Sequence, residues 1–406
     1  MNHGDALQQK DCSSDWAWPF WPVVPLYPYG NRRTLRTELV KDTIWVFDQL
    51  QGILYVTVPI RMTVVKLEAG GLLVYAPVAP TPECVRLVRE LEAQHGSVRY
   101  IILPTASGLE HKVFVGPFAR RFQTAHVYVA PDQWSFPLQL PLSWLGFPIG
   151  RTHRLPTEAS HAPFYSDVDY AILGPIRLGL GTFEEVAFFH RRSHTLLVTD
   201  SVLTIPDTPP DIVQLTPYPL LFHARDHVHD EVEDSWDNRC KGWQRIALFS
   251  FYFRPSAAKT IPLWQAIQDS FKASNRSKPA YFGIFPFQWH GDWKRSFDAL
   301  RSHGQLLVAP ILQTLILNRA PTETLAWVNQ VADWDFHRII PCHFEPFIES
   351  NGHQFREAFA FLQHPHNDSA SCRRNLLDDD LELLRKLDDL LIRRGITPPP
   401  EVLNDQ

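Results

Sequence analysis

Residues 43–130 alternate between strand-like and helix-like segments, and this order restricts the chain to a layered α/β fold. A helix is predicted at residues 82–95, because Thr81 can cap it, proline suits its first position and Gly96 ends it. Apolar, β-branched runs on both sides of this helix predict strands. These runs cover residues 43–47, 53–58, 62–67, 71–75, 98–103 and 126–130. A second helix is predicted to begin with residues 117–122. A sheet covered by helices is the architecture that this alternation favours.

A small polar loop follows the predicted strand at residues 98–103, and it holds a carboxylate next to a histidine, Glu110 and His111. The sequence of a loop at a strand end can vary while the sheet keeps the loop in place, so α/β proteins often carry their catalytic and binding residues there. Adjacent acidic and histidine residues are also common on idle surface loops. The pair alone is therefore a weak signal.

The strands at residues 62–75, the helix after them and the polar loop together resemble the start of a metallo-β-lactamase-like fold. That fold is a four-layer αββα sandwich, of the α/β class, and the resemblance implies loop insertions and a C-terminal helix here. In that family the loop carries the metal motif H-x-H-x-D-H. Its four ligand positions fall in this chain on Ala106, Gly108, Glu110 and His111. The first two histidines are therefore replaced, and the acid is longer by one methylene.

Two later segments also resemble the family. Residues 195–200, TLLVTD, resemble the strand that ends in the metal-bridging aspartate, which is Asp200 here. Residues 338–343, RIIPCH, resemble the strand that delivers the final histidine, which is His343 here. The family's remaining histidine should lie just before the hairpin that ends at Asp200, but residues 177–181 contain none.

By this resemblance, one of the family's two metal sites lacks its histidines and should be empty. The other site would use Glu110, His111 and His343, with Asp200 nearby. Imidazole and carboxylate together suit borderline divalent ions, so one Zn²⁺, Fe²⁺ or Mn²⁺ is implied. The absence of any metal is equally compatible with the residues, since the same side chains could form a hydrogen-bonded cluster that fixes the loops.

The whole chain also resembles an uncharacterised family from cyanobacteria and plants that is known only as a domain of unknown function. The phrases that carry this match are WPFWPVVPLYPYG at residues 18–30, APVAPTPE at 76–83 and SGLEHKVFVGPFAR at 107–120. The match covers nearly all of the chain. Because that family has no assigned reaction, the resemblance implies a site but no substrate.

Composition along the chain predicts three parts. Residues 1–37 are a polar tail and a Trp/Pro-rich arm, residues 38–368 the metallo-β-lactamase-like domain with insertions near 131–166 and 206–240, and residues 369–406 an amphipathic C-terminal helix and tail. The density of proline in the arm excludes a helix. The arm either packs across its own domain or presents aromatic rings to a protein partner or a membrane surface.

A second run rich in histidine and acidic residues, HARDHVHDE at residues 223–231, has the composition of a metal cluster. Local, polar and acidic runs of this kind lie in solvent more often than they bind metal. We therefore expect a solvated segment there, with a metal role as the alternative.

Composition bounds the classes of function. The chain has 406 residues, 45% hydrophobic and 20% charged, which is ordinary for a soluble globular protein. A formal net charge of −5 argues against nucleic-acid binding, which needs a basic face. No apolar run reaches the roughly 18 residues of a transmembrane helix, and we recognise no secretory signal. The 5 scattered cysteines favour a reducing compartment, so we expect a cytoplasmic protein.

Two functions are compatible with these features. The first is that of a degenerate metallo-β-lactamase-fold protein of unassigned reaction, which acts in binding or as a scaffold with at most one metal site. Its protein partner would contact the aromatic arm. The alternative is a mononuclear metal-dependent hydrolase of an ester, an amide or a phosphoester. The residues leave open whether the chain is an enzyme.

Overall fold

The computed structural model of the chain describes residues 14–23, 25–106, 110–135, 140–277, 280–363 and 376–401. Two β-sheets dominate the described part. In spatial order the first sheet contains β1 (Leu35–Val40), β2 (Ile44–Ile53), β3 (Val56–Lys66), β4 (Leu72–Tyr75), β5 (Val98–Leu103), β6 (His126–Val129) and β7 (Thr152–Arg154). The second sheet has the spatial order β14 (Ile348–Glu349), β13 (Arg338–Pro341), β10 (Thr195–Val198), β9 (Thr182–His190) and β8 (Val168–Arg177). A separate antiparallel pair consists of β11 (Ala258–Thr260) and β12 (Phe287–Trp289).

Strand direction changes within each sheet. In the first sheet the neighbours from β1 to β4 are antiparallel, whereas those from β4 to β7 are parallel. In the second sheet β10 and β13 are parallel, and the other neighbours are antiparallel. The loops after parallel strands leave a sheet at the same edge, so residues that are distant in sequence meet there.

The core between the sheets explains why the strands have nearly continuous apolar sequences. Successive side chains of a strand point to opposite faces. Leu73 and Tyr75 of β4 pack between the two sheets. Leu72 and Val74 of the same strand pack on the outer side, against helices. Strands that are buried on both faces need apolar residues at every position, which is the pattern that predicted them.

Helices cover the outer face of each sheet. The α-helices of the described residues are α1 (Pro82–His95), α2 (Lys112–Arg121), α3 (Asp211–Gln214), α4 (Tyr218–Ala224), α5 (Trp236–Tyr252), α6 (Leu263–Ser270), α7 (Trp293–Arg301), α8 (Pro310–Leu315), α9 (Pro321–Ala332), α10 (Gly352–Ala358) and α11 (Asp378–Arg393). Helices α1 and α2 pack on the first sheet, and α9 and α10 pack on the second. Two facing sheets between two helical layers are the αββα sandwich that the sequence predicts, so this fold class is confirmed. None of the helices in the described ranges is long and apolar enough to cross a membrane.

A group of helices covers one end of the long β2–β3 hairpin. Helices α3, α4, α5, α7, α8 and α11 share an apolar core there with Leu50 of β2. Two polar contacts hold α11 in place. Asp380 accepts hydrogen bonds from Ser256, and Asp388 forms an ion pair with Arg319. The C-terminal amphipathic helix thus docks on the body of the protein.

The aromatic arm packs on its own domain over part of its length. Trp18 is buried, and its ring centroid lies 5.4 Å from that of Phe114 in α2. The backbone of Tyr27 exchanges two hydrogen bonds with that of Gly52, near the tip of the β2–β3 hairpin. Trp21 nevertheless keeps 39% of its surface exposed, so the arm is only partly buried.

Two local predictions differ from the structure. The strand predicted at residues 53–58 is interrupted in the structure, because Leu54 and Tyr55 form the turn between β2 and β3, and Leu54 adopts a φ of 49°. The second helix is predicted from Pro117 but begins at Lys112, with the proline inside it. Burial of Phe114 against the first sheet compensates for the hydrogen bond that proline cannot donate.

Arg61 of β3 is a buried charge that joins the first sheet to the loop after β13. Its side chain is 1% exposed, and its Nε lies 2.8 Å from Oδ1 of Asp48 on β2. Burial raises the pKa of Asp48, and the guanidinium of Arg61 offsets only part of that effect. The terminal nitrogens of Arg61 donate hydrogen bonds of 2.7 Å and 2.9 Å to the carbonyls of Pro341 and Phe344. The guanidinium therefore holds the backbone on both sides of His343.

Replacing Arg61 by methionine should lower the free energy of unfolding by about 3 kcal/mol or more, because Asp48 is left as an unpaired buried charge. Chemical denaturation measures this loss. The double variant Arg61→Met/Asp48→Asn should recover part of the stability but not all of it, since two carbonyls still lack their donor. Arg99→Met, at an exposed arginine of β5, is the matched control with an expected change within about 0.5 kcal/mol. Equal stabilities of the Arg61 and Arg99 variants would contradict this account.

His190, at the end of β9, is a buried neutral histidine. It is 0% exposed, and its Nδ1 lies 2.7 Å from the hydroxyl oxygen of Ser193. Burial lowers the pKa of His190 to about 4, with a smaller contribution from the charge of Arg192. The unfolded chain therefore binds a proton at this residue more readily than the folded chain does between about pH 6.5 and pH 4.

The free energy of unfolding should fall as the pH drops through this range, by on the order of 2 kcal/mol from His190 alone. Denaturation at a series of pH values measures the slope. In His190→Gln the free energy of unfolding should fall by that much less over the same pH range. The exposed-site variant His126→Gln should show the same fall as the unmodified protein. Parallel pH profiles for all three proteins would show that His190 does not carry this dependence.

Candidate metal centre

The candidate residues lie on loops that leave neighbouring strand ends. β10 and β13 are parallel and paired along their length. Asp200 and His343 each lie two residues beyond the end of one of these strands, so both emerge at the same edge of the second sheet. Glu110 and His111 lie between β5 and α2, at the corresponding end of the first sheet. The topology therefore brings together residues more than 200 positions apart.

Three of these side chains form one compact group of donors. The Nε2 atom of His343 lies 2.8 Å from Oε2 of Glu110 and 3.3 Å from Oδ1 of Asp200. One donor atom each from Glu110, His111 and His343 lie within 4.8 Å of one another. Within the described ranges, this is the one group of three or more His, Cys, Asp or Glu side chains close enough to hold a metal ion.

The ring of His111 is oriented by the backbone. Its Nδ1 lies 3.2 Å from the carbonyl oxygen of Pro77. A carbonyl only accepts hydrogen bonds, so Nδ1 carries the hydrogen and Nε2 carries the lone pair. That Nε2 is buried and has no hydrogen-bond partner. Burial lowers the pKa of His111, which keeps the ring neutral and its lone pair available.

The ring of His343 is oriented in the same way but carries a different charge. Its Nδ1 lies 2.9 Å from the carbonyl oxygen of Pro59, which directs Nε2 at the two carboxylates. Burial lowers the pKa of His343, but Glu110 and Asp200 outweigh burial and raise that pKa well above its usual value. For Glu110 the two effects have the opposite signs. Burial raises the pKa of this carboxyl, and the charge of His343 outweighs burial and brings the pKa down to about 2. A positive charge thus lies between two carboxylates.

A buried carboxylate fixes the turn that carries Asp200. Glu185 of β9 accepts hydrogen bonds of 2.8 Å and 3.1 Å from the backbone nitrogens of Thr199 and Asp200. It also accepts a 2.9 Å bond from the hydroxyl of Ser201. Burial raises the pKa of Glu185 to about 7, and the neighbouring charge of Asp200 acts in the same direction. Asp200 is therefore held by backbone contacts, which leaves its own carboxylate available.

The four side chains differ in their access to solvent. His111 and His343 are 3% and 7% exposed. The side chains of Glu110 and Asp200 are 40% and 38% exposed. The imidazoles thus form the floor of the cluster, and the carboxylates face outwards.

The positions of the family's other metal ligands carry no histidine in the described residues. Ala106 is fully buried and offers no donor side chain, and Gly108 lies outside the described residues. Lys112 donates a 3.0 Å hydrogen bond from Nζ to the carbonyl of Ala106. That the second metal position is empty stays a prediction.

The HARDHVHDE run has a structural role. His223 is buried in α4, so the prediction of a solvated segment is wrong for this residue. Asp226 forms ion pairs with Arg245 and Lys241. The carboxylate of Asp230 accepts hydrogen bonds from the backbone nitrogens of Asp226 and His227. These contacts fold the run into a turn.

The residues that hold the candidate metal ligands in position were not predicted from the sequence. Arg61 and Glu185 are charged residues in the interior of largely apolar strands, the second beside another glutamate, Glu184. Charge at such positions is the signal that could have found them. The carbonyls of Pro59 and Pro77 leave no such signal, because any residue has a carbonyl.

Comparison with solved structures finds metallo-β-lactamase-fold proteins. The DIM-1 metallo-β-lactamase exposed to ceftazidime is 14% identical, with 43% of this chain and 71% of that chain covered and a TM-score of 0.32. A metallo-β-lactamase from Pontibacter korlensis is 12% identical, with coverage of 42% and 73% and a TM-score of 0.32. The metal-soaked Flv1 flavodiiron core from Synechocystis sp. PCC6803 is 11% identical, with coverage of 84% and 63% and a TM-score of 0.40. Likenesses this distant say nothing about the reaction or the ligands of this chain.

Sequence comparison assigns the chain to a family without assigning it a reaction. No curated protein matches it. The distribution in cyanobacteria and plants that the sequence resemblance implies stays a prediction. One family model, described as "Domain of unknown function (DUF4336)", matches residues 41–361, well over half of the sequence. The chain therefore belongs to the DUF4336 family of domains of unknown function.

Proposed function

We propose that this protein holds one divalent metal ion at Glu110, His111 and His343, with Asp200 beside it. The observation that carries this proposal is that His111, whose buried Nε2 has no hydrogen-bond partner, belongs to one compact donor group with Glu110 and His343. Buried nitrogen acceptors are nearly always paired, because leaving one unpaired costs free energy. A ring whose Nδ1 binds a backbone carbonyl and whose Nε2 is free has the tautomer and orientation of a metal ligand.

The donor set fits a borderline ion. Two imidazoles and a carboxylate suit Zn²⁺, Fe²⁺ or Mn²⁺ better than Mg²⁺ or Ca²⁺, which prefer oxygen donors. An ion at these donors would supply a Lewis acid that acidifies water for attack on an ester, an amide or a phosphoester. Metal-dependent hydrolysis is therefore the reaction class that we propose.

Residues of the protein itself would transfer protons and keep the metal ligands in position. Asp200, which is 38% exposed, can accept a proton at the solvent side of the cluster. Glu185 fixes the backbone of Asp200 and thereby its position. The carbonyls of Pro59 and Pro77 keep the two imidazoles in one tautomer. The two imidazoles are buried in the protein, with His111 3% and His343 7% exposed.

A binding or scaffold function is the second candidate, and the ion pairs of His343 favour it. His343 already has two carboxylate partners, so part of the cluster is stable as a polar network that fixes three loops. This second candidate leaves Nε2 of His111 unexplained, which is why we place it second. It also keeps the aromatic arm, with its exposed Trp21, as a surface for a protein partner.

We propose a reducing compartment, such as the cytoplasm, for either function. Cys84, Cys240 and Cys342 are free thiols in the described ranges. Burial raises the pKa of Cys84 and Cys342, which makes both thiols unreactive.

Metal-free protein titrated with Zn²⁺ in a calorimeter should bind about one ion per chain. His111→Ala and His343→Ala should each weaken binding at least about 100-fold, since each removes a direct ligand. His126→Ala, at an exposed histidine of β6, is the matched control and should bind as the unmodified protein does. Circular dichroism checks that all variants are folded. No binding by the unmodified protein, or equal binding by the His111 variant, would exclude the centre.

The reaction class is tested separately, with chromogenic ester, amide and phosphoester substrates on the zinc-loaded protein. Turnover that is lost in His111→Ala but kept in His126→Ala is expected of the hydrolase. Zinc binding without turnover of any of the three substrate classes would favour the binding or scaffold function.

A further inference from the structure

Helix α6 has its large apolar residues on the solvent side. The exposed fractions of Leu263, Trp264 and Phe271 are 65%, 64% and 66%, and that of Ile267 is 42%. Leu263, Ile267 and Phe271 are spaced four residues apart, so they share one face of the helix. The buried residues within α6 are the small ones, such as Ala266. An ordinary surface helix has the opposite arrangement, with its large apolar face on the core.

Further exposed apolar residues lie beside this helix. Phe282 is 60% exposed, and the next residue, Gly283, is so close to Ala273 that a Cβ placed on it would lie 2.8 Å from the alanine Cβ. Tyr281 packs on Tyr55 at the tip of the β2–β3 hairpin, with ring centroids 4.9 Å apart.

The hairpin tip and the arm extend this surface. Ile53 and Leu54, directly before Tyr55, are 65% and 56% exposed. The ring of Tyr27 in the arm lies 5.1 Å from that of Tyr55. We call Leu263, Trp264, Ile267, Phe271 and Phe282, with the hairpin tip, the α6 surface. Exposed apolar surfaces built from several chain segments mark interaction sites.

The charged residues of the segment that contains α6 are mostly basic. Lys259, Lys272 and Arg276 are exposed, and Asp269 is the single acidic residue between positions 259 and 277. The guanidinium carbon of Arg276 lies 4.9 Å from the ring centroid of Phe271. This segment is thus locally positive in a chain whose formal net charge is −5.

We propose that the α6 surface binds the face of an anionic lipid bilayer. A short helix with tryptophan, phenylalanine and leucine on one side and basic residues at its border is the composition of interfacial helices. Tryptophan is suited to the headgroup region, because its ring is apolar and its N–H is polar. Basic side chains at the border would lie among the lipid phosphates and carboxylates. The whole domain would thus attach to the membrane without crossing it.

Co-sedimentation of the full chain with vesicles tests this proposal. The protein should bind vesicles of phosphatidylcholine mixed with phosphatidylserine, bind pure phosphatidylcholine vesicles less, and dissociate as salt is raised. Trp264→Ser/Phe271→Ser should weaken binding at least about tenfold, because it removes the apolar contact. Trp144→Ser is the matched control and should leave binding unchanged, since this tryptophan is 76% exposed in a different loop.

A charge variant separates the two parts of the interaction. Lys272→Glu should weaken binding to the anionic vesicles about fivefold or more and leave the weak binding to phosphatidylcholine unchanged. No binding to either vesicle, or equal binding by the Trp264/Phe271 variant, would overturn the proposal. A dimer in sedimentation equilibrium that this variant abolishes would also overturn it, because the surface would then join two copies of the chain.

Discussion

The buried guanidinium of Arg61 is the contact on which the arrangement of the candidate site depends. It pairs with Asp48 inside the first sheet and donates to two carbonyls of the second sheet's side, those of Pro341 at the end of β13 and of Phe344 in the loop after it. These bonds cross between the sheets where His343 leaves its strand. The apolar core between the sheets sets their distance but not their register, because hydrophobic contacts are not directional. Directional bonds from one buried charge therefore determine where His343 meets Glu110.

The layered fold could be predicted from the sequence because strands buried on both faces need continuous apolar runs. The helix at residues 82–95 was predictable to the residue, since its cap and its end have distinctive residues in Thr81 and Gly96. The β2–β3 turn was not, because Leu54 adopts a positive φ that its residue type does not favour. The start of α2 was also missed, since a proline inside a helix is tolerated only when tertiary packing compensates for it.

The candidate site was predictable only through resemblance. Glu110, His111, Asp200 and His343 are ordinary polar residues in loops that follow strands, and spacing along the chain does not join positions 111 and 343. The parallel pairing of β10 and β13 joins two of them, and no local pattern announces that pairing. The supporting contacts were out of reach for another reason. Carbonyls of the backbone orient both histidine rings, and every residue type supplies a carbonyl.

X-ray diffraction from crystals soaked in Zn²⁺ can show whether the free nitrogen of His111 is a metal ligand. Anomalous differences recorded on both sides of the zinc absorption edge locate the ion independently of any assay. We expect one strong peak within bonding distance, about 2.0–2.1 Å, of Nε2 of His111, with Glu110 and His343 as further ligands. A fully soaked crystal without a peak at these residues, or with Nε2 still unpaired beside an ordered His343–Glu110 ion pair, would contradict it.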